Sequence, residues 1–522
     1  MIPIEILTAV LLALSATAIA LAGFRWLRVA QREHYIAPWV SILAVLWLRK
    51  RPLNAVLFGV AIAIAVVSFI IQSTDLWWIA LQVLALVIVA LLPLGLGVRG
   101  RSSRLAWTAR LKRVAVVYGV VVLGLATLGV VLLGTRTIVV VVLAMAPLMD
   151  LVLAILAPIE KRLSHKYLVS ARKRLSQVGP RIVAITGSYG KTSTKGYVAH
   201  VLSGSYSTVA SPASFNNLMG LSRAVNERVV PGTEIFVAEM GVYGQGEIRE
   251  LSETFPPDIA AITTIGEAHL ARMGSREVIF QAKSEITEKA KTVVLPIDDP
   301  LLAGLADRCR AEGKRVVTVS TVAGTTADVV VDTASGIVTV MENGQQVTAP
   351  ISLPNVGHAV NLAVTVGIAI ALDMSLATIS SRLDALPDSP HRAEISYAPS
   401  GVAIVDDTYN ANPVGAERAL RGAAELAAER GGPLVVVTPG MVELGSVQAI
   451  RNEAFGASIA DVGGYLFAVA RTNRKALVAG ASSGPNPVRI FDTRTDAVAA
   501  ALDQAGDRGV ILYENDLPDH YP

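Results

Sequence analysis

Residues 181 to 196 read "RIVAITGSYGKTSTKG". The β-rich run "RIVAIT" leads into Gly187, Ser188 and Gly190, and Lys191, Thr192 and Ser193 open a stretch of helical composition. Closely spaced glycines let backbone amides curl around phosphate oxygens, and a helix N-terminus favours their charge. Lys191 suits neutralising β- and γ-phosphates, and Thr192 offers a hydroxyl to Mg²⁺. In the common phosphate loop the first glycine would stand at position 185, which is Ile185 here; it comes two residues later, at Gly187. The alternative, a plain glycine-rich turn, does not ask for Gly-Lys-Thr between a strand and a helix.

Such a loop needs a strand behind it and a helix in front, and the composition after about residue 180 supplies both. "RIVAIT", "EIFVAEM", "DIAAITTI", "KTVVLPI" and "RVVTVST" are short β-rich runs, mostly separated by helix-like stretches. That alternation predicts a mainly parallel sheet covered on both faces. Residues 322–352 break the rhythm with turn-linked strands, which predicts a small antiparallel patch, and "NLAVTVGIAIALD" predicts a buried helix. A polar, proline-containing boundary near 384–394 precedes a second alternating set, "GVAIVDD", "PLVVVTPG", "YLFAVA", "PVRIFD" and "GVILYEN". The expected fold class is an N-terminal α-helical membrane region followed by α/β structure. The latter is a P-loop central domain at 181–388 and a smaller, Rossmann-like C-terminal α/β domain at 389–522.

The first 160 residues are of another kind. Runs near 3–23, 53–71, 76–97, 114–134 and 137–158 are apolar over about the 20 residues that a bilayer crossing takes, which predicts about five spans in 1–160. Lysine and arginine collect in loops 24–52 and 98–113. By the positive-inside rule this places the N-terminus outside and everything after 160 in the cytoplasm, in a multi-pass plasma-membrane protein. The run "WVSILAVLWL" at 39–48 is too short to cross and reads as interfacial or re-entrant. Residues 161–180 are expected to form a basic amphipathic linker helix that lies on the anionic leaflet or serves as a solvated connector. Asp150, well inside the last run, is costly there and so a candidate for function, with a purely structural role equally open.

The 522 residues carry 46 Lys+Arg against 42 Asp+Glu, a formal net charge of +4. Most of the excess flanks the apolar runs, and no nucleic-acid partner is expected. The single cysteine, Cys309, excludes an internal disulfide and any cysteine-rich zinc site.

The short spelling TGSxGKTS resembles the Mur ligase superfamily, ATP-dependent amide ligases of cell-wall precursor synthesis, and is most similar to its D-alanyl-D-alanine-adding branch. Further stretches resemble the family in its own order. "SPASFNNLMG" brings Asn216 and Asn217, and "VAEMGVYGQGEI" brings Glu239. "IGEAHLARMGS" brings His269, "QAKSEI" brings Lys283, and "LPNVGHAVNLAV" brings Asn361. "SPHRAEI" brings Arg392, and "VDDTYNANP" brings Asp406, Asp407, Asn410 and Asn412. The resemblance implies ATP and two Mg²⁺ ions as cofactors. Gly187, Ser188, Gly190, Lys191, Thr192, Ser193, Asn361, Arg392 and Asp406 would bind nucleotide, and Thr192, Glu239, His269 and Lys283 would attend metal. It implies that Lys283 is carbamylated, and that Asn216, Asn217, Asp407, Asn410 and Asn412 face substrate.

The sequence also departs from the family. His358 stands where an asparagine is usual, "TPGMVELGS" lacks the acidic residue expected before its methionine, and apolar runs occupy the place of the UDP-sugar-binding domain. The resemblance implies phosphorylation of a carboxylate by ATP and attack of an amine on the acyl phosphate, with Lys191, His269 and Lys283 at the chemistry. The expected partners are the lipid bilayer, a peptide-bearing cell-wall precursor, UDP- or lipid-linked, and an amino acid or dipeptide. Two other functions fit the same ATP motif: a poly-γ-glutamate-synthase-like polymerase, and a membrane scaffold that binds ATP without catalysis.

Overall fold

The structure, a computed structural model, describes residues 4–71, 76–100, 105–342, 345–351, 359–386, 394–409 and 411–522. Arg392, Asn410 and His358 lie outside the described residues.

The helical region comprises Ile4–Arg32, Trp39–Lys50, Pro52–Ile70, Leu76–Leu91, Ala109–Leu133, Thr137–Leu143 and Met145–Val178. Its core gathers Trp26, Leu43, Trp47, Leu86, Leu111, Tyr118 and Met149. Five apolar runs were expected to be long enough to cross a membrane. Among the described residues three helices are, Ala9–Arg32, Pro52–Ile70 and Ala109–Leu133, and a fourth span results if Thr137–Leu143 and Met145–Val178, bent by 61°, count as one. The run at 76–97 is shorter than expected because its helix stops after 16 residues, just before Pro93, which cannot donate to a helical ladder. Chain ends are tied in two groups. Asn54 meets the backbone of Leu94, and Gln31 that of Ala106. At the other end Arg136 donates to the Ser68 carbonyl at 2.6 Å.

Asp150 and the stretch 161–178 each find protein partners. Asp150 accepts from the amides of Ser41 at 2.7 Å and Val40 at 3.3 Å. It therefore caps the first turn of Trp39–Lys50, supplying the acceptor that orphan amides at a helix start require. The basic stretch 161–178 is not a separate helix; it continues Met145–Val178, and its second half packs on the central sheet's helical layer. Ala171 is fully buried there, with Leu175 and Val178 beside it. Ser170 bonds Asn226 and Arg174 bonds the Val229 carbonyl. In the first half Leu163, Tyr167 and Val169 are 45 %, 49 % and 50 % exposed.

The first sheet contains β1 (Arg181–Thr186), β2 (Thr208–Ala210), β3 (Ile235–Glu239), β4 (Ile259–Ile262), β5 (Thr292–Pro296), β6 (Arg315–Ser320), β7 (Val329–Asp332), β8 (Ile337–Glu342) and β9 (Gln345–Pro350). Their order is β2-β3-β1-β4-β5-β6-β7-β8-β9, parallel as far as β7 and antiparallel across β7, β8 and β9. β1 and β4 are almost wholly buried, as expected for strands covered on both faces. Helix Ala359–Ala371 lies under them, nearly all buried.

The second sheet contains β10 (Glu394–Tyr397), β11 (Ala403–Asp407), β12 (Leu434–Thr438), β13 (Tyr465–Val469), β14 (Arg489–Phe491) and β15 (Val510–Glu514), in the order β10-β11-β15-β12-β13-β14. Only β10 is antiparallel to its neighbour. The carboxyl ends of β11 and β15 lie side by side, with Asp407 opposite Glu514.

Candidate active site

The loop after β1 is built for close approach. Gly187 has φ 152°, and a Cβ there would collide with Thr263 Oγ1; Gly190 has φ 79°, and a Cβ there would collide with Asn361 Oδ1. Only glycine meets both demands at Gly190. Helix Lys191–Leu202 starts at this turn, so its free amides open beside the loop. Lys191 Nζ folds back and donates to the Gly187 carbonyl at 2.7 Å and the Ser188 carbonyl at 3.3 Å.

Tyr189, Gly190, Thr264, Asn361 and Asp298 line a cleft of about 220 Å³, to which Val414 contributes from the C-terminal half. Asn361 is buried, and its Nδ2 has no hydrogen-bond partner among the described residues. A buried amide without a partner is costly in a finished core. At the wall of a cleft beside a phosphate-type loop it fits recognition of a nucleotide.

Glu239, at the end of β3, is 3 % exposed. Its Oε2 accepts from Lys195 Nζ at 2.9 Å, its Oε1 from Asn216 Nδ2 at 3.3 Å, and Ser211 Oγ accepts its backbone amide. Burial alone would raise its pKa, but the charges of Lys195 and Lys191 and these hydrogen bonds outweigh it and hold the carboxyl below the usual range. Asn216 thus stands at Glu239, whereas Asn217 caps helix Leu218–Arg228 through the Gly220 amide. Lys195 was missed from sequence, although its place one turn after Lys191 put it on the same helix face.

Lys283 is buried in helix Arg276–Ser284. Burial, reinforced by the positive charge of Lys191, drives its ammonium well below the usual lysine value, which favours the neutral amine. The same Lys191 charge acts on Glu239 and His269. Glu239 lies opposite Ile185, two residues before Gly187, and bonds Lys195 one turn beyond Lys191, so the end of β3 and the loop helix meet.

His269 sits in a left-handed backbone conformation, φ 62°, and its Nδ1 lies 2.7 Å from Glu443 Oε2. An ionised carboxylate only accepts, so Nδ1 carries the proton and Nε2 keeps its lone pair. Burial holds the imidazole below its usual pKa, against the pull of Glu443, and the charges of Lys191 and Lys283 add to that lowering. Burial would raise Glu443, but His269 and Arg272 bring it down to about 2. Glu443 belongs to the retained "ELG" at 443–445, yet nothing local marked it as the partner of His269.

Asp406, Asp407 and Asn412 lie at the carboxyl end of β11 and the start of the helix that follows it. Asp406 accepts from the Thr408 amide and hydroxyl, forming a turn at the end of β11. Asn412 caps helix Pro413–Arg430 through the Gly415 amide. Asp407 adjoins Glu514, whose carboxyl is pushed well above its usual value by burial and by the negative charge of Asp407.

Among the described residues no group of three His, Cys, Asp or Glu side chains could hold a metal ion. The donor set still fits Mg²⁺: an ionised Glu239, the Thr192 hydroxyl and a neutral His269 suit an ion that keeps waters and shares phosphate oxygens. A second ion fits only if Lys283 becomes an oxygen donor. The cleft, the two glycine approaches and the unpartnered Asn361 amide fit ATP.

Two family models match: the Mur ligase middle domain over residues 185–369, and the Mur ligase glutamate ligase domain over 391–513. The UDP-N-acetylmuramoyl-tripeptide--D-alanyl-D-alanine ligase of Mycobacterium tuberculosis (strain ATCC 25618 / H37Rv) is 34 % identical over 272 residues, covering 50 % of this chain and 52 % of the relative. The Bacillus subtilis enzyme of the same name is 32 % identical over 298 residues, 55 % of this chain and 62 % of the relative. The chain thus spans about half the length of the curated relatives it matches. In fold it is similar to MurF from Acinetobacter baumannii, TM-score 0.56 at 23 % identity, over 67 % of this chain and 77 % of that one. MurF from Thermotoga maritima in complex with ADP gives TM-score 0.56 at 24 % identity, over 67 % and 80 %.

Proposed function

Since this chain belongs to the Mur ligase family, we propose that it is an ATP-dependent amide ligase that activates a carboxylate as an acyl phosphate and joins it to an amine. The observation that carries this reading is geometric: the glycine loop ends at a cleft walled by the Asn361 amide, which has no partner among the described residues, and Glu239, opposite Ile185 of β1, bonds Lys195 one turn beyond Lys191. A protein that only binds ATP has no use for an ionised buried carboxylate, a neutral imidazole and a neutral buried lysine next to the phosphate loop.

The loop amides and Lys191 hold the transferring phosphoryl group and offset its charge, which is most of what phosphoryl transfer asks of a protein. Lys191 would leave its two loop carbonyls to do so. Glu239 and Thr192 would hold Mg²⁺, with His269 Nε2 beside it. The neutral amine of Lys283 can attack CO₂, giving a carbamate and releasing one proton, and the carbamate supplies the oxygen donor for a second ion. Bound metal would screen the repulsion between the attacking carboxylate and the γ-phosphate. Val414 in the cleft wall couples the C-terminal sheet to the nucleotide, so closure there brings the amine to the acyl phosphate and excludes water.

The substrate class proposed is a cell-wall precursor peptide carried on a lipid, extended by an amino acid or dipeptide. Its support is the helical region. Val116, Val120 and Val131 of Ala109–Leu133 are 65 %, 68 % and 75 % exposed, an apolar surface that water does not favour. The three helices long and apolar enough to cross, with the bent pair as a fourth, fit legs running through the plasma membrane, with both sheets in the cytoplasm. The central domain would then be 181–388 and the C-terminal domain 389–522.

Phosphate release by the detergent-purified full chain, offered lipid-linked or UDP-linked muropeptide with candidate amines, tests the substrate. Lipid-dependent release absent from Lys191→Ala supports it. Equal or better turnover of the UDP-linked peptide overturns the lipid assignment and leaves the ligase reading standing.

A further inference from the structure

The end of helix Ile4–Arg32 reaches the ligase site. Glu33 is 3 % exposed; its Oε2 lies 2.7 Å from Arg272 Nη2 and its Oε1 2.9 Å from His520 Nε2. Arg272 Nη2 also reaches Glu443 Oε1, at 3.3 Å, and the other oxygen of Glu443 holds His269 Nδ1 at 2.7 Å. The guanidinium of Arg272 stacks between Trp39 at 4.2 Å and Tyr243 at 4.9 Å. Tyr243 OH meets His34 Nε2 at 3.1 Å, and its ring packs edge-on to His269. His520 is fixed in turn by Trp47 Nε1, which donates to its carbonyl at 2.9 Å.

We propose that Glu33 and Arg272 are positioning residues of the ligase site, through which the helical region sets the orientation of the His269 imidazole. This rests on the reading of His269 as a metal-attending residue. The geometry gives the reason. One nitrogen of Arg272 is shared unequally between two carboxylates, and the shorter contact goes to Glu33. Glu33 therefore keeps Arg272 from claiming Glu443 outright, and Glu443 keeps its other oxygen on His269. Without Glu33, the buried guanidinium turns to Glu443, its other carboxylate partner among the described residues, and draws it off the imidazole, because an unpaired buried charge is the costlier state. The orientation of a metal-attending histidine depends on what holds its other nitrogen. The helical segment is thus a working part of the site as well as a tether, and Trp39, Trp47 and His520 hold the relay from the membrane side.

The test is the Mg²⁺ affinity of the full-length, detergent-purified protein holding a non-hydrolysable ATP analogue, read by titration calorimetry, alongside the Mg²⁺ dependence of ATP turnover. Loss of a histidine's direct partner costs on the order of 10–100-fold in metal affinity, and a residue one step further out costs less. Glu443→Gln is expected to raise the Mg²⁺ concentration for half-maximal rate about tenfold and Glu33→Gln about threefold, with kcat much less affected. The double variant should equal Glu443→Gln alone, since both act on one bond. Glu160→Gln, which breaks a helical-region ion pair with Arg113 away from the site, should leave the Mg²⁺ dependence unmoved.

Should Glu33→Gln fail to fold, Glu33→Leu combined with Arg272→Met removes carboxylate and guanidinium together; nothing then draws Glu443 off His269, so the Mg²⁺ dependence is expected to stay near native, and Glu33→Leu alone is expected to raise it. A raised requirement in that double variant, or in Glu33→Gln an unmoved Mg²⁺ dependence, a fall in kcat alone, or effects additive with Glu443→Gln, would each overturn the proposal. If His269→Ala itself left the Mg²⁺ dependence unchanged, the assignment of His269 would fall, and the relay with it.

Discussion

His269 and Glu443, 174 residues apart in sequence, meet at 2.7 Å and join the loop after β4 to the loop after β12. This bond ties the two sheets at the point where the proposed chemistry occurs, and it is made by an imidazole kept neutral and a carboxylate kept ionised.

Its pH signature follows from the direction of the Glu443 shift. The folded-state value, about 2, lies below the unfolded value of 4.5. A depressed carboxylate contributes stability that is present above 4.5 and lost as pH falls towards 2. The contribution is on the order of 3 kcal/mol at neutral pH. Glu443→Gln should therefore lower the melting temperature at pH 7, and the difference from the native chain should shrink progressively below pH 4.5. A constant difference down to pH 3 would show that Glu443 does not titrate as this pairing requires.

Gly190→Ala tests the nucleotide cleft. The added methyl meets Asn361 Oδ1 at a φ that non-glycine residues rarely adopt. We expect ATP affinity to fall tenfold or more, about 1.4 kcal/mol, and the melting temperature of the ATP-free protein to fall as well, since alanine at positive φ costs on the order of 1 kcal/mol. Isothermal titration with a non-hydrolysable ATP analogue reads the first quantity and calorimetry the second. Undiminished affinity would place the nucleotide elsewhere.

Lys283 makes a chemical prediction. A neutral, buried amine takes up CO₂ reversibly, so activity should decline in CO₂-depleted buffer and return on adding bicarbonate. The carbamate forms from the unprotonated amine, so recovery should be faster at higher pH. Lys283→Arg, charged at every working pH, should be inactive and unresponsive to bicarbonate. A native enzyme indifferent to CO₂ would leave the second metal without its donor.

Two acidic residues that hold groups of the helical region, Asp150 within it and Asp519 after β15, should act on stability. Asp150→Ala removes the acceptor of the Val40 and Ser41 amides, for a loss of about 1 kcal/mol, while turnover per folded molecule stays the same. Asp519→Asn leaves Arg28, which is 1 % exposed, without its ionised partner at 2.7 Å, for a loss of about 3 kcal/mol. Denaturant melts in detergent order the two. A turnover defect in Asp150→Ala larger than its loss of folded protein would give that residue a role beyond capping.

What could be read from the sequence was local. Gly187, Gly190, Lys191 and Thr192 lie within six residues, and their spacing alone states the loop; the alternation of β-rich and helical runs states the parallel sheet. Glu239, His269 and Lys283 became legible as an ordered series. The residues that were missed act across long separations: Glu443 on His269, Arg272 on Glu33 at a separation of 239, and His520 on Glu33 at 487. No periodicity marks such pairs, because each is chosen by how separate layers dock. The same physics hid the covering of Ala171 and the cap made by Asp150. An apolar face or a buried carboxylate announces that it needs a partner, and only tertiary structure says which.

The most direct test of the ligase reading is the stoichiometry of the reaction. The full-length protein, incubated with ATP, Mg²⁺, lipid-linked muropeptide and a panel of amino acids and dipeptides, is analysed by mass spectrometry alongside ADP release. The account predicts one product heavier than the muropeptide by one amine less one water, formed one-for-one with ADP and absent with Lys191→Ala. ATP binding without ADP or amide from either lipid-linked or UDP-linked muropeptide would contradict it.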